Sequence, residues 1–166
     1  MATPLYWVEG PWPGKLAMAP RPRGGDWLHD EIEGWRRSKI KTVLSLLTPE
    51  EEHALDLDEE RGKTKAGGIQ FISFPIPDRE VPEAQAEVAA VVDQVNSELS
   101  SGDNVLIHCR QGVGRSGLLA ACLLVSRGVD SNAAMERLSK ARGLPVPETA
   151  EQRRWINRYA ASLTTK

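Results

Sequence analysis

The chain has 166 residues with 40% hydrophobic and 27% charged side chains, enough to bury one core and too evenly mixed for a disordered or fibrous protein. A single domain over residues 1–166 is the expectation. The formal net charge of -2 provides no basic field to gather nucleic acid or an anionic membrane, so any anionic ligand has to be held locally.

From the N-terminus, residues 5–8 and 15–19 read as short strands around a Gly-Pro-Trp-Pro-Gly turn. Asp26 is placed to cap a helix with Leu28, Ile32 and Trp35 on one face, and a buried strand follows over 40–47. Thr48, Pro49 and Glu51 fit the N-cap, first and third positions of the next helix. The acidic run 56–60 reads as a solvated helix face. A strand over 69–74 then enters the loop 75–82, where Pro75, Pro77 and Pro82 exclude regular structure.

Ala84, Val88, Val91, Val95 and Leu99 form a helical stripe within 83–101, and 104–107 reads as a short central strand. Helices are expected over 116–127 and 131–142, closed by Gly128 and Gly143, and over 148–163, where Arg153, Arg154 and Arg158 read as solvated. The alternation predicts an α/β domain with a central, mostly parallel sheet and helices on both faces. The apolar runs fall far short of the roughly 18 residues that span a bilayer. The start of the chain lacks the basic end and apolar run of a secretory segment, so a cytoplasmic protein with no membrane attachment is expected. Two cysteines and three scattered histidines suit neither a disulfide framework nor a zinc site, and no metal or cofactor is expected.

The chemistry concentrates in the segment from Val105 to Gly117, where a strand runs through a cysteine-bearing loop into a helix. Loops at the carboxyl ends of strands are where α/β sheets bind ligands. The backbone N–H groups of Arg110, Gln111, Gly112, Val113 and Gly114 can converge on an anion together with the positive end of the following helix. Gly112 and Gly114 allow close backbone approach, and Arg115 adds a planar fork suited to phosphate. A free thiol is mostly protonated at neutral pH, and this cradle stabilises a thiolate at Cys109, poised to attack a phosphate ester. Ser116 can donate to the departing thiolate, and His108 is placed to order the loop rather than to act as a base. Cys122 sits in an apolar helix and reads as packing.

The pattern His108-Cys109-x-x-Gly112-x-x-Arg115-Ser116 resembles the signature of the cysteine-dependent protein tyrosine phosphatase superfamily. The compact length and the Pro77-Asp78-Arg79-x-x-Pro82 loop are most similar to its small dual-specificity members of bacterial and archaeal type. The resemblance implies Cys109 as nucleophile, Arg115 as phosphate clamp, Ser116 as leaving-group helper and Asp78 as general acid. Some members place a water-orienting glutamine in a segment similar to 147–152, which nominates Gln152 against a plain surface role. Arg79 and Arg110 are rim charges on this reading, or simply solvated. A monomer acting on a phosphorylated protein, phosphotyrosine first and phosphoserine or phosphothreonine second, is the expectation.

Phosphoinositides or inositol phosphates are the alternative substrates, weakened by the absence of lysine at 110, 111 and 113. Three other readings compete. Gly112-x-Gly114-x-x-Gly117 spells a dinucleotide-binding fingerprint, but no strand ending in an acidic residue follows at the required distance. A rhodanese-like sulfur carrier would leave the distant acid unexplained. A catalytically silent phosphate-binding module would not need Cys109, Arg115 and Asp78 together.

Overall fold

The structure is a computed structural model that describes residues 2–164. Its strands are β1 Tyr6–Val8, β2 Leu16–Ala19, β3 Ile40–Ser45, β4 Gln70–Ser73 and β5 Asn104–His108, in one sheet of order β1-β2-β5-β3-β4. β1 is antiparallel to β2, and all other pairings are parallel, as the strand and helix alternation predicts. The helices are α1 Leu28–Arg37, α2 Pro49–Ala54, α3 Glu60–Ala66, α4 Gln85–Ser100, α5 Gly114–Ser126, α6 Ser131–Arg142 and α7 Ala150–Thr164.

The period of two along β5 divides the core. Val105, Ile107 and Cys109 join one apolar cluster with α4, α5, α6 and α7, while Leu106 joins the other with Leu28, Ile32 and Trp35 of α1. Helices therefore cover both faces. α5 is buried from Gly114 to Val125, and its apolar run from Leu118 to Val125 reflects a helix enclosed on all sides. Cys122 lies fully buried within it, and burial pushes its thiol up, which fits a packing role.

Three local expectations change. Asp26 caps nothing: it lies inside a 3-10 turn, Gly25–Trp27, and the N-cap position of α1 falls to Trp27 without a side-chain hydrogen bond. β3 stops at Ser45 rather than 47, because its partners run out where Ser45 pairs with Ser73 and His108. The acidic run is not uniformly solvated, since its last residue, Glu60, opens α3 with its side chain fully buried. Thr48 and Glu51 do form the expected capping box at α2, with Thr48 Oγ1 accepting from Glu51 N and Glu51 Oε1 accepting from Thr48 N. After Gly117 the described residues hold only helices, which removes the second strand a dinucleotide fold requires.

Candidate active site

Cys109 follows the last residue of the central strand and is 2% exposed. The chain then turns through Gly112, whose φ of 74° favours glycine, and a Cβ there would lie 2.5 Å from the Ala19 carbonyl carbon. Both the backbone conformation and the packing thus demand the residue. Val113 is the N-cap of α5 and provides no side-chain cap, so the first N–H groups of this helix remain available to an anion. The loop carbonyls are held from behind. Arg142 of α6 donates through Nε to Gly112 O at 3.3 Å and through Nη2 to Gln111 O at 3.1 Å, and its guanidinium stacks on Tyr6.

Arg115, 1% exposed, draws together the ends of three strands. Its Nη1 donates to Ile76 O beyond β4 at 2.7 Å and to Leu46 O beyond β3 at 3.3 Å. Glu51 of α2 meets the guanidinium as a two-point pair, Nη1 to Oε1 at 2.6 Å and Nη2 to Oε2 at 2.9 Å. Asp78 Oδ1 accepts from Nη2 at 3.0 Å. The loop of Asp78 and the loop of Cys109 therefore meet at this one side chain. Burial opposes the Arg115 charge, but Glu51, Cys109 and Asp78 outweigh it and hold the guanidinium above its usual range. Burial likewise works against the Glu51 carboxylate, and the Arg115 and Thr48 contacts overcome it, leaving the group below the ordinary carboxylate range.

The residues expected around the nucleophile assemble with some changes of role. Ser116 Oγ is buried with no hydrogen-bond partner among the described residues, a donor left free beside the loop. Gln152 is not a surface residue of α7. Its side chain is buried, Oε1 accepts from Glu148 N and Thr149 N, and Nε2 donates to Glu80 O at 3.2 Å. A Cβ at Gly114 would lie 2.9 Å from Gln152 Nε2, so the amide packs directly on the loop. Arg79 is exposed but paired: its Nη1 donates to Glu148 Oε2 at 2.7 Å, tying the loop of Asp78 to the segment before α7. Arg110 remains half-exposed, 3.9 Å from Glu51.

His108 faces away from the cysteine pocket. Its ring stacks on Trp35, and Nε2 lies 2.6 Å from Glu60 Oε2 with both side chains fully buried. Sequence reasoning missed Glu51, Glu60 and Arg142. Leu57, Glu60 and Thr64 are all buried at helical spacing, and that stripe carried the signal for Glu60. Glu51 was visible only as a cap. Among the described residues, no group of three or more histidine, cysteine or acidic side chains is arranged to hold a metal. No helix among them is long and apolar enough to cross a membrane.

Residues 6–161 match the family described as Swiss Army Knife protein, DSP-PTPase phosphatase domain. Among curated proteins, the chain is 33% identical over 98 residues to cyclin-dependent kinase inhibitor 3 of Sus scrofa, covering 58% of this chain and 46% of that one. It is 30% identical over 106 residues to dual specificity protein phosphatase TpbA of Pseudomonas aeruginosa (strain UCBPP-PA14), covering 63% and 43%. The chain thus spans less than half the length of these curated relatives. The fold is similar to kinase associated phosphatase with its catalytic-site cysteine replaced by serine, at a TM-score of 0.90, 20% identity and coverage of 100% of this chain and 98% of that chain. It is also similar to PTPMT1 in complex with PI(5)P, at 0.76 and 16% over 96% and 97%. With the family match running through both the loop of Cys109 and the loop of Asp78, the chain belongs to the cysteine-dependent protein tyrosine phosphatase superfamily, among its dual-specificity-type domains.

Proposed function

We propose that the chain hydrolyses phosphate monoesters on proteins, phosphotyrosine first and phosphoserine or phosphothreonine second, through a cysteinyl-phosphate. The observation that carries this reading is the meeting of Asp78 with Arg115 at 3.0 Å, which brings the Asp78 carboxyl to the arginine of the Cys109 loop. Arg115 and the loop N–H groups bind the non-bridging phosphate oxygens and stabilise them as charge develops. Cys109 Sγ forms a bond to phosphorus while the ester oxygen leaves with a proton from Asp78. Water then attacks the same phosphorus, Asp78 takes its proton, and the S–P bond breaks to restore the thiolate. Gln152, whose Nε2 keeps a second N–H beyond its bond to Glu80 O, positions that water by donating to it, and Ser116 Oγ donates to the departing sulfur. Arg110 at the rim attracts the anionic substrate.

The test is a parallel assay of phosphotyrosine peptide, phosphothreonine peptide and a soluble inositol phosphate, with chelator present. Turnover of the phosphotyrosine peptide is expected, absent in Cys109→Ser. Activity that requires a divalent ion, or appreciable turnover by Cys109→Ser, overturns the mechanism. Preference for the inositol phosphate overturns the assignment to protein substrates.

A further inference from the structure

We propose that Arg142 is a positioning residue for the bound oxyanion, acting from behind the Cys109 loop to aim the N–H groups of Gly112 and Val113 at it. The inference rests on the reading of that loop as a phosphate cradle and identifies what holds the cradle in shape. The backbone over residues 110–113 is divided in its hydrogen bonding. The carbonyls of Arg110, Gln111 and Gly112 all accept, from Arg21 N at 3.2 Å, Arg142 Nη2 at 3.1 Å and Arg142 Nε at 3.3 Å. The N–H groups of Gln111, Gly112 and Val113 meet no acceptor among the described residues.

The planarity of the peptide unit joins these two facts. The peptide bonds of this loop are trans, so each carbonyl and the N–H of the next residue point in opposite directions. Gln111 O drawn back to Arg142 turns Gly112 N–H forward, and Gly112 O drawn back turns Val113 N–H forward. Gly112 sits between these two peptide planes at a φ of 74°, and glycine rotates at little steric cost, so the planes need an outside hold. The guanidinium supplies it. Its planar fork serves two successive carbonyls, and stacking on Tyr6 of β1, 4.1 Å from the ring centroid, fixes the plane of the fork. No ion pair engages Arg142 among the described residues, so its charge polarises both peptides in the sense that strengthens their N–H groups toward an anion. The Arg110–Gln111 peptide is held by the backbone of Arg21 instead. Gln111 N–H therefore keeps its direction without Arg142, while Gly112 N–H and Val113 N–H do not.

Arg142→Met keeps an unbranched stem against Tyr6 and removes both donors. The probe is tungstate, a phosphate-like oxyanion, followed by its dissociation constant and by the amide-proton shifts of the loop at saturation. Tungstate is expected to bind Arg142→Met roughly 10- to 150-fold more weakly, the worth of one charge-assisted hydrogen bond. In the unmodified protein, saturation moves the Gln111, Gly112 and Val113 amide protons downfield. In Arg142→Met the Gly112 and Val113 displacements shrink and that of Gln111 is retained. Arg137→Met, which removes another cation of α6, one that donates to Glu9 O at 3.2 Å, leaves affinity and shifts in place. An affinity of folded Arg142→Met within about threefold of the unsubstituted protein, or displacements lost equally at all three amides, overturns the proposal. Should Arg142→Met fail to fold, the Arg142 Nε–H resonance of the unmodified protein decides: a downfield move on tungstate saturation supports the shared peptide, and an unmoved signal overturns it. Binding is the readout throughout, so the reading of the nucleophile fails separately. Turnover retained by Cys109→Ser removes that reading and leaves the role of Arg142 standing, whereas an unmodified protein that binds no tungstate removes the cradle and the proposal together.

Discussion

Glu51→Gln separates two functions that one side chain performs. Glu51 closes the capping box of α2 and also pairs with Arg115 through both oxygens, at 2.6 and 2.9 Å. Glutamine serves a capping box as well as glutamate does, so helix α2 should form normally. At Arg115 the amide presents one acceptor and one N–H₂, and the second contact becomes a donor facing a donor. A charge-assisted hydrogen bond is worth about 1.5–3 kcal/mol. Breaking a buried pair outright costs about 3–5 kcal/mol, but Arg115 keeps Ile76 O, Leu46 O and Asp78, which favours the lower figure. Spent in the transition state, that loss lowers kcat/KM roughly 10- to 150-fold. Steady-state assays on an aryl phosphate, with thermal unfolding alongside, make the measurement. A kcat/KM within about threefold of the unsubstituted protein, or a loss explained entirely by unfolding, refutes the claim that Glu51 aims the phosphate clamp.

Gly112→Ala forces a side chain into a φ of 74° and to within 2.5 Å of the Ala19 carbonyl carbon, so loss of activity is expected with destabilisation of about 1–3 kcal/mol or more, read by denaturant titration. A folded, fully active variant would show that the loop relaxes freely. Acid stability supplies a second check. Burial opposes the Glu31 carboxylate, but contacts from Thr3 and Arg23 hold it below its ordinary range, as Glu51 is held. Its stabilisation is therefore complete above the unfolded value of about 4.3 and fades as pH falls through the lower folded value. Glu31→Gln should lower the denaturation midpoint at neutral pH and flatten its decline on acidification; parallel curves for the two proteins would exclude the contribution. Gln152→Ala is expected to leave the first chemical step nearly intact and slow the second, giving a burst of leaving group, whereas an unchanged steady state without a burst makes the amide structural.

The loop from Cys109 to Ser116 was legible because its constraints are local. Glycine at 112 answers to a backbone angle, and the step from an apolar strand to an apolar helix frames the cysteine. The capping box of α2 and the αL end of α6 at Gly143 were legible for the same reason. Contacts between distant segments were not. Arg142 reaches the loop across 30 residues and Glu51 reaches Arg115 across 64, separations over which spacing carries no pairing information. Glu60 was obscured by its company: four exposed or apolar neighbours in an acidic run hide one carboxylate aimed inward. Arg79 and Gln152 look like surface residues by type, and only the meeting of the Asp78 loop with the start of α7 gives them partners.

The proposed reaction passes through one covalent bond, between Cys109 sulfur and phosphorus. Rapid mixing of the Gln152→Ala variant with a phosphotyrosine peptide, followed by quenching and peptide mass spectrometry, looks for it directly. A transient phosphoryl adduct on the peptide containing Cys109 is predicted, rising with the burst, decaying with turnover and absent in Cys109→Ser. Release of phosphate at the normal rate with no adduct on Cys109, or an adduct on another residue, contradicts the account.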